Sequence, residues 1–266
     1  MYETQYHRPK DVAEAARLFA GATEARYLAG GQTLLPTMKQ RLAAPSDVID
    51  LRKIPELKGI SATGDAVTIG AATTHAEVNA SDAVKKAIPA LAYLAGLIGD
   101  PAVRHMGTIG GSLANNDPAA DYPAAAIALN ATIKTDKRTI AAADFFTGLF
   151  STALEPAEVI VSVSFPVPAK AAYAKFDNPA SRYAMAAVFV AKLKDGAVRV
   201  GVTGAHGEGV FRSADIERAL TASWTPEAVQ AVTISPDGML ADIHGSAAYR
   251  ANLVKVMAKR AVATAG

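Results

Sequence analysis

Two pairs of adjacent glycines constrain this chain more than any other feature: Gly30-Gly31 in ARYLAGGQTLLPTMKQ and Gly110-Gly111 in HMGTIGGSLANNDPAADYPA. Each pair follows an apolar run. Each is followed at once by small hydroxyl or amide side chains, Gln32 and Thr33 in the first, Ser112 and Asn115 in the second. Lacking a Cβ, glycine serves tight turns and lets another group press directly on the backbone. A double glycine between the end of a strand and the start of a helix also leaves N–H groups unpaired beside the positive helix pole, where an anion is welcome. Taken singly, either pair reads equally well as a plain turn. Together, with their hydroxyl and amide donors, they suit a diphosphate. Neither belongs to a GxGxxG or a GxxxxGK[ST] pattern, so a Rossmann site and a P-loop are both poor readings.

The segments around the first pair alternate in type. Val12, Ala15, Ala16 and Phe19 recur at helical spacing after Pro9 and Asp11, and Gly21 ends that run. ARYLAGG reads as a strand into a turn, TLLPTMKQRLA as a helix with Leu35, Met38 and Leu42 on one face, and SDVIDL as a strand. Further on, a hairpin is expected at Thr63-Gly64-Asp65 and a capping box at Thr74 and Glu77. A long helix capped by Ser81 is expected over SDAVKKAIPALAYLAGLIG, and a helix over YPAAAIALN. Short strands follow around 131–142, then a helical turn at FFTGLF and a strand at EVIVSVSFP. VPAKAAY, residues 167–173, is the best internal boundary. Beyond it Asp195-Gly196 joins two β-rich runs as a hairpin turn, and two helices close the chain. The second of these carries Tyr249, Leu253, Val256 and Met257 on one face.

Composition removes several functions. The 266 residues carry a net charge of only +2, with acids and bases intermixed, so there is no nucleic-acid footprint and no basic membrane face. No apolar stretch is long enough to predict a membrane span, and the polar start MYETQYHRPK predicts no signal peptide. There is no cysteine, which excludes disulfides, thiolate-bound zinc and any iron–sulfur cluster held by this chain, and fits a cytoplasmic location. The five histidines have no ligand-like spacing, so no metal site is expected.

The acids after the second glycine pair suit a ligand with sugar hydroxyls. Asp117 or Asp121 could accept from a ribityl or ribose chain, although Asp117-Pro118 also reads as a turn and Asp121 as a helix cap. Arg104 is a further candidate for neutralising a phosphate, and His105 reads as a structural or surface residue rather than a catalytic base.

At this point the residues resemble a family. YLAGGQTLLPTMKQRLAAPSDVIDL, IGAATTHAEV, DPAVRHMGTIGGSLANNDPAADYPA, FFTGLFSTALEPAEVIVSVSFPVP and SAAYRANLVKVMAKRAV are similar to the FAD-binding medium subunit of molybdenum hydroxylases, the xanthine dehydrogenase and aerobic carbon monoxide dehydrogenase family. The resemblance covers nearly the whole chain. It implies an α+β architecture: two FAD-binding subdomains of the vanillyl-alcohol-oxidase type, over 1–56 and 57–168, and a C-terminal domain of sheet and helices over 169–266. It implies that Ala29, Gly30, Gly31, Gln32, Thr33 and Leu34 wrap the FAD pyrophosphate. Thr108, Gly110, Gly111, Ser112 and Asn115 complete that cradle, and Asp121 holds the ribityl or ribose end. Ile98 and Ile160 pack near the rings, and Lys175 and Tyr183 approach the isoalloxazine. The chain departs from the usual family pattern at Gln32, at Ser112 and at Arg182, where an acid is common.

The function so implied is electron transfer. A large subunit with the molybdenum cofactor oxidises the substrate, a small subunit with [2Fe–2S] clusters relays electrons, and FAD on this chain passes them to NAD, a quinone or O2. No acid–base triad is expected on this chain, and none is visible. Two other readings are a free-standing flavoenzyme of the same fold, with Tyr183 or Lys175 as its acid or base, and a non-enzymatic nucleotide-binding assembly module.

Overall fold

The computed structural model describes residues 1–265. A small parallel sheet comes first: β1 (Gln5–His7), α1 (Val12–Gly21), β2 (Ala25–Leu28), α2 (Leu34–Lys39) and β3 (Asp47–Asp50). β3 lies between β1 and β2 and runs parallel to both. The Asp11 carboxylate caps α1 by accepting from the Glu14 N–H, and Val12 and Ala15 bury against Ile49 and Leu51. The expected order of helix, strand, glycine turn, helix and strand is present. β1 is additional, because Gln5, Tyr6 and His7 offer no apolar alternation to announce it. α2 is shorter than expected. It stops at Lys39, Arg41 turns back at φ 62°, and Leu42 is 74% exposed rather than packed beside Met38.

After a 3-10 turn at Pro55–Leu57 come β4 (Ile60–Ala62), β5 (Ala66–Gly70), α3 (His75–Ala80), α4 (Asp82–Ala87), α5 (Pro89–Gly96), α6 (Pro101–Met106), α7 (Ile109–Asn115) and α8 (Tyr122–Ala128). β6 (Thr132–Thr135), β7 (Thr139–Ala141), α9 (Ala142–Phe145), β8 (Phe146–Gly148), β9 (Ser151–Thr152) and β10 (Ile160–Pro166) follow. Five of these strands form an antiparallel sheet in the order β4-β5-β10-β6-β7. The hairpin at Thr63-Gly64-Asp65 forms, with Ala62 opposite Val67. So does the capping box: Thr74 Oγ1 accepts from the Glu77 N–H, and the Glu77 carboxylate accepts from the Thr74 N–H at 2.7 Å.

Three expectations need correction here. The helix capped by Ser81 breaks at Ile88, because Pro89 has no N–H to continue it and instead opens α5. FFTGLF is not a helical turn; Phe145 ends α9, and Phe146–Gly148 pairs with Ser151–Thr152 as a hairpin tied to α7. Asn116 makes that tie, its side-chain amide donating to the Gly148 and Ser151 carbonyls at 2.8 Å each. The second glycine pair is not a turn either, since Gly110 and Gly111 lie inside the first turn of α7.

The last part holds β11 (Lys170–Asp177), β12 (Ala184–Lys192), β13 (Val198–Thr203), β14 (Phe211–Arg212), α10 (Ala214–Ala222), α11 (Pro226–Gln230) and α12 (Ala247–Thr264). Its strands form an antiparallel sheet in that order, with Gly196 at φ +88° in the expected hairpin turn. Strands precede helices as expected, but there are three helices rather than two. α12 buries Leu253 and Met257, while Val256 is half-buried and Tyr249 exposed. Beside them α12 buries a charge. The Arg250 guanidinium donates to the Met185 carbonyl at 2.7 Å and the Gly204 carbonyl at 3.0 Å, and pairs with Asp242 at 2.6 Å. β12 is buried along AMAAVFVA because its two faces serve two cores, one shared with α8 and the other with α12.

Gly201 on β13 shows how tightly this sheet meets the rest: a Cβ there would lie 2.2 Å from the Ala124 carbonyl oxygen of α8. Gly201→Ala is expected to lower stability by about 1–3 kcal/mol through overpacking. Urea unfolding measures it, and an unshifted midpoint would mean that α8 yields freely.

Candidate functional site

The two glycine segments meet. A Cβ on Gly30 would lie 2.4 Å from the Met106 carbonyl oxygen and 2.5 Å from Gly107 Cα, so the first turn packs backbone to backbone on the link between α6 and α7. Gly107 in turn faces the His75 imidazole, with Nε2 2.6 Å from where its Cβ would stand. Gly110 packs on Ala71, where a Cβ would lie 2.6 Å from the alanine's own. Gly31, at φ +73°, takes the left-handed conformation that makes the turn.

Beside this junction is a cavity of about 650 Å³. That lies within the range of roughly 300–1,000 Å³ usual for small-molecule sites. Ala29, Gly30, Gly31, Gln32, Thr33 and Leu34 form one wall, and Thr108, Gly110, Gly111, Ser112 and Asn115 another. Ile98, Ile160, Asp121 and Tyr183 also line it. Lys175 is the one expected site residue that does not; it stands behind Asp121.

The two glycine pairs are not chemically equivalent. Among the described residues, no protein acceptor serves the N–H groups of Gly30, Gly31, Gln32, Thr33 or Leu34, so they form a row of free donors. At α7 the N–H groups are already used: Ile109 donates to Thr73 O at 3.1 Å, Gly110 to Ala71 O at 2.9 Å, and Gly111 to Thr108 Oγ1 at 3.1 Å. An anion would therefore meet backbone at the first pair, and the Thr108, Ser112 and Asn115 side chains at the second. Glycine at 110 serves chain-to-chain approach, a role the sequence does not distinguish from ligand approach.

Asp121 stands at the N-cap position of α8, but its side chain does not cap the helix. Its carboxylate makes no bond to the N–H groups of α8. Instead Tyr173 Oη donates to Oδ1 at 2.5 Å, and Lys175 Nζ pairs with Oδ1 at 2.9 Å while also donating to the Leu97 carbonyl at 3.2 Å. Burial pushes the Asp121 carboxyl up, and the Lys175 ammonium and the Tyr173 hydroxyl oppose it. The Asp117 carboxylate also borders the cavity, and accepts from the Ala119 N–H at 2.8 Å in the expected turn. Glu158, on the opposite wall, is held down at about 2, above all by the Arg138 guanidinium at 3.0 Å, helped by the Thr135 hydroxyl at 2.7 Å.

Two lining residues escape sequence reading. His75 is buried with Nδ1 unpartnered, and desolvation followed by the nearby Arg104 charge lowers it to about 4. A lone histidine in a capping box gives no sign of this. Phe150, at the tip of the β8–β9 hairpin, reaches the cleft only through a φ of 50°. Arg104 is corrected: its guanidinium caps the end of the preceding helical segment, donating to Ile98 O at 3.1 Å and Gly99 O at 3.0 Å, and does not line the cavity. His105 is exposed, as expected, with Nδ1 2.6 Å from Pro101 O. Among the described residues no lining hydroxyl is hydrogen-bonded to a histidine.

Gly110→Ala is expected to destabilise the ligand-free chain by about 1–3 kcal/mol, whereas Ser112→Ala should leave its stability unchanged. Equal melting temperatures for both would refute the division of labour between packing and binding. Above the unfolded-state value near 6.5, His75 is neutral in both states and costs nothing. As pH falls from there toward about 4, only the unfolded chain takes up the proton, so stability should drop. His75→Gln should flatten that slope in chemical denaturation, and a parallel slope would place the proton elsewhere.

Comparison with known proteins agrees with this geometry. Residues 2–168 match the family described as the FAD binding domain in molybdopterin dehydrogenase. The chain is 37% identical over 276 residues to the carbon monoxide dehydrogenase medium chain of Hydrogenophaga pseudoflava, covering 97% of this chain and 95% of that one. It is 37% identical to the nicotine 6-hydroxylase medium subunit of Paenarthrobacter nicotinovorans, covering 98% of this chain and 97% of that one. Among solved structures, reconstituted CO dehydrogenase from Oligotropha carboxidovorans superposes with a TM-score of 0.90 at 35% identity, covering 98% of this chain and 96% of its counterpart. With a mixed helix-and-sheet fold, a donor-lined cleft and relatives matched along nearly their whole length, this chain belongs to the FAD-binding medium subunits of the molybdenum hydroxylases.

Proposed function

We propose that the chain holds FAD in this cleft as the outlet of a three-subunit oxidoreductase, receiving electrons from a [2Fe–2S] subunit and delivering them to NAD, a quinone or O2. The FAD, when bound, supplies the redox chemistry, linking one-electron clusters to a two-electron acceptor. The observation that carries the reading is the row of free N–H groups from Gly30 to Leu34, set against hydroxyl and amide side chains of α7. Such a row fits a diphosphate, because consecutive backbone N–H groups without a protein acceptor can donate to ligand oxygens.

The chain's own work is binding and orientation. Gly31 gives the turn its shape, Thr108, Ser112 and Asn115 supply side-chain donors, and Ile98 and Ile160 offer apolar surface to a ring. Asp121 is placed to accept from a sugar hydroxyl. The absence of cysteine requires that clusters sit on another chain. A partner subunit carrying the molybdenum cofactor, with the organic or gaseous substrate, completes the scheme.

Co-expression with the neighbouring large and iron–sulfur subunits should give an assembly with FAD stoichiometric to this chain. Gly111→Val should lose that FAD while keeping the circular dichroism of the wild type. A Cβ at Gly111 already stands 3.1 Å from Thr108 Oγ1 and 3.5 Å from Ala29 Cβ, so branching closes the gap between the two walls. Full flavin content in Gly111→Val would remove the diphosphate from this cleft. Substrate turnover by the chain alone would favour a free-standing flavoenzyme instead.

A further inference from the structure

We propose that Tyr173, a residue outside the cavity, is a positioning residue for the flavin site: it fixes the Asp121 carboxylate in the ionised state and in the orientation that accepts a cofactor hydroxyl. The inference rests on the reading of the cleft as an FAD site and deepens it.

The geometry is specific. Tyr173 and Lys175 are two apart on β11, so both side chains leave the same face of the strand. β11 is the edge strand of the C-terminal sheet, and that face turns toward α5 and the start of α8. Three segments distant in sequence therefore meet at one carboxylate: Asp121 before α8, the Leu97 carbonyl after α5, and the Tyr173–Lys175 pair of β11. All three side chains are buried. The tyrosine ring is held in turn by Phe189, with centroids 6.1 Å apart.

The two carboxylate oxygens are not alike. Oδ1 takes both short contacts, from Tyr173 at 2.5 Å and Lys175 at 2.9 Å, whereas Oδ2 has only the ammonium at 3.2 Å. A carboxylate has about four acceptor sites, so Oδ2 retains capacity, and it belongs to a residue that lines the cavity. A ligand hydroxyl donates most strongly to Oδ2 while the group is ionised, because a charged acceptor makes the stronger hydrogen bond. Burial works against ionisation, and the tyrosine hydroxyl is the neutral donor that works for it without occupying Oδ2. The other titratable groups around the carboxylate are Tyr122 on α8, Tyr93 on α5 near Tyr173, and Tyr183 and Asp117 on the cleft rim. Lys175 supplies the positive charge and shares Oδ1 with the tyrosine, but it also reaches Oδ2, whereas the tyrosine donates to Oδ1 alone. The C-terminal sheet is thereby part of the cofactor site, although it contributes no side chain of β11 to the cavity surface.

The test is the affinity for FAD of the full assembly against pH, over about pH 5 to 8, in wild type, Tyr173→Phe and Asp121→Asn. Tyr173→Phe keeps the ring and removes the donor. It should weaken FAD by roughly three- to tenfold at the acid end, with the loss beginning at a higher pH than in wild type. Asp121→Asn should bind weakly with no such dependence. A wild-type affinity and pH profile in Tyr173→Phe would overturn the proposal. So would an equal loss at every pH with a lowered melting temperature, which would make the tyrosine merely structural. Should Tyr173→Phe fail to assemble, the other two proteins test the premise, and Tyr173→His, which keeps a ring donor, replaces the phenylalanine variant: a proton-linked loss of FAD in wild type that is also present in Asp121→Asn defeats the proposal, and a wild-type profile in Tyr173→His supports it. FAD binding unaffected by Asp121→Asn sinks this inference while leaving the flavin site intact. A wild-type assembly devoid of FAD sinks the flavin site itself.

Discussion

The architecture depends on one contact between backbones. Gly30 lies against Met106 and Gly107 so closely that no side chain fits between them. That contact joins the parallel β1–β3 unit to the helices above the five-stranded sheet, and it sets one wall of the cavity beside the other. Because the contact is steric, it holds the cleft's width without using the N–H donors of the Gly30–Leu34 turn. Packing and binding thus occupy the same few residues through different atoms. Gly110 repeats the device on a second surface, where Ala71 is the neighbour and the N–H is also used.

Charge is arranged on the same economy. Each buried acid of the cleft is held from behind by a cation and a hydroxyl: Glu158 by Arg138 and Thr135, Asp121 by Lys175 and Tyr173. Both arrangements cross between distant parts of the chain. An unpaired carboxylate in either place would be costly to bury, so each pair also enforces the registration of the segments that carry it. The Arg250 guanidinium does this within the C-terminal part, tying α12 to two backbone carbonyls and to Asp242.

Much of the local structure was legible in the sequence because it is made by neighbours. The Thr74–Glu77 box, the Asp195-Gly196 hairpin, the cap by Asp11 and the apolar alternation of β10 all rest on residues a few positions apart. Other elements depend on a remote partner. β1 exists because β3 offers it a parallel edge, and α7 starts where Thr73 and Ala71 accept its first N–H groups. The helix after Ser81 divides for a local reason, since Pro89 has no N–H to continue it.

The same division holds for the cleft. The sequence by itself determined the two glycine pairs and the hydroxyls, amides and acids after them, a set that suits an anionic, sugar-bearing ligand, and its motifs carry the family. Those properties belong to residue types in order along the chain. Only the tertiary structure decided which glycine N–H groups stay free at the cavity and which bond to protein, that Lys175 stands behind Asp121 rather than in the cleft, and that His75 is buried in its wall. Side-chain chemistry is written residue by residue, but burial and pairing arise only when segments far apart in sequence exclude water from between them.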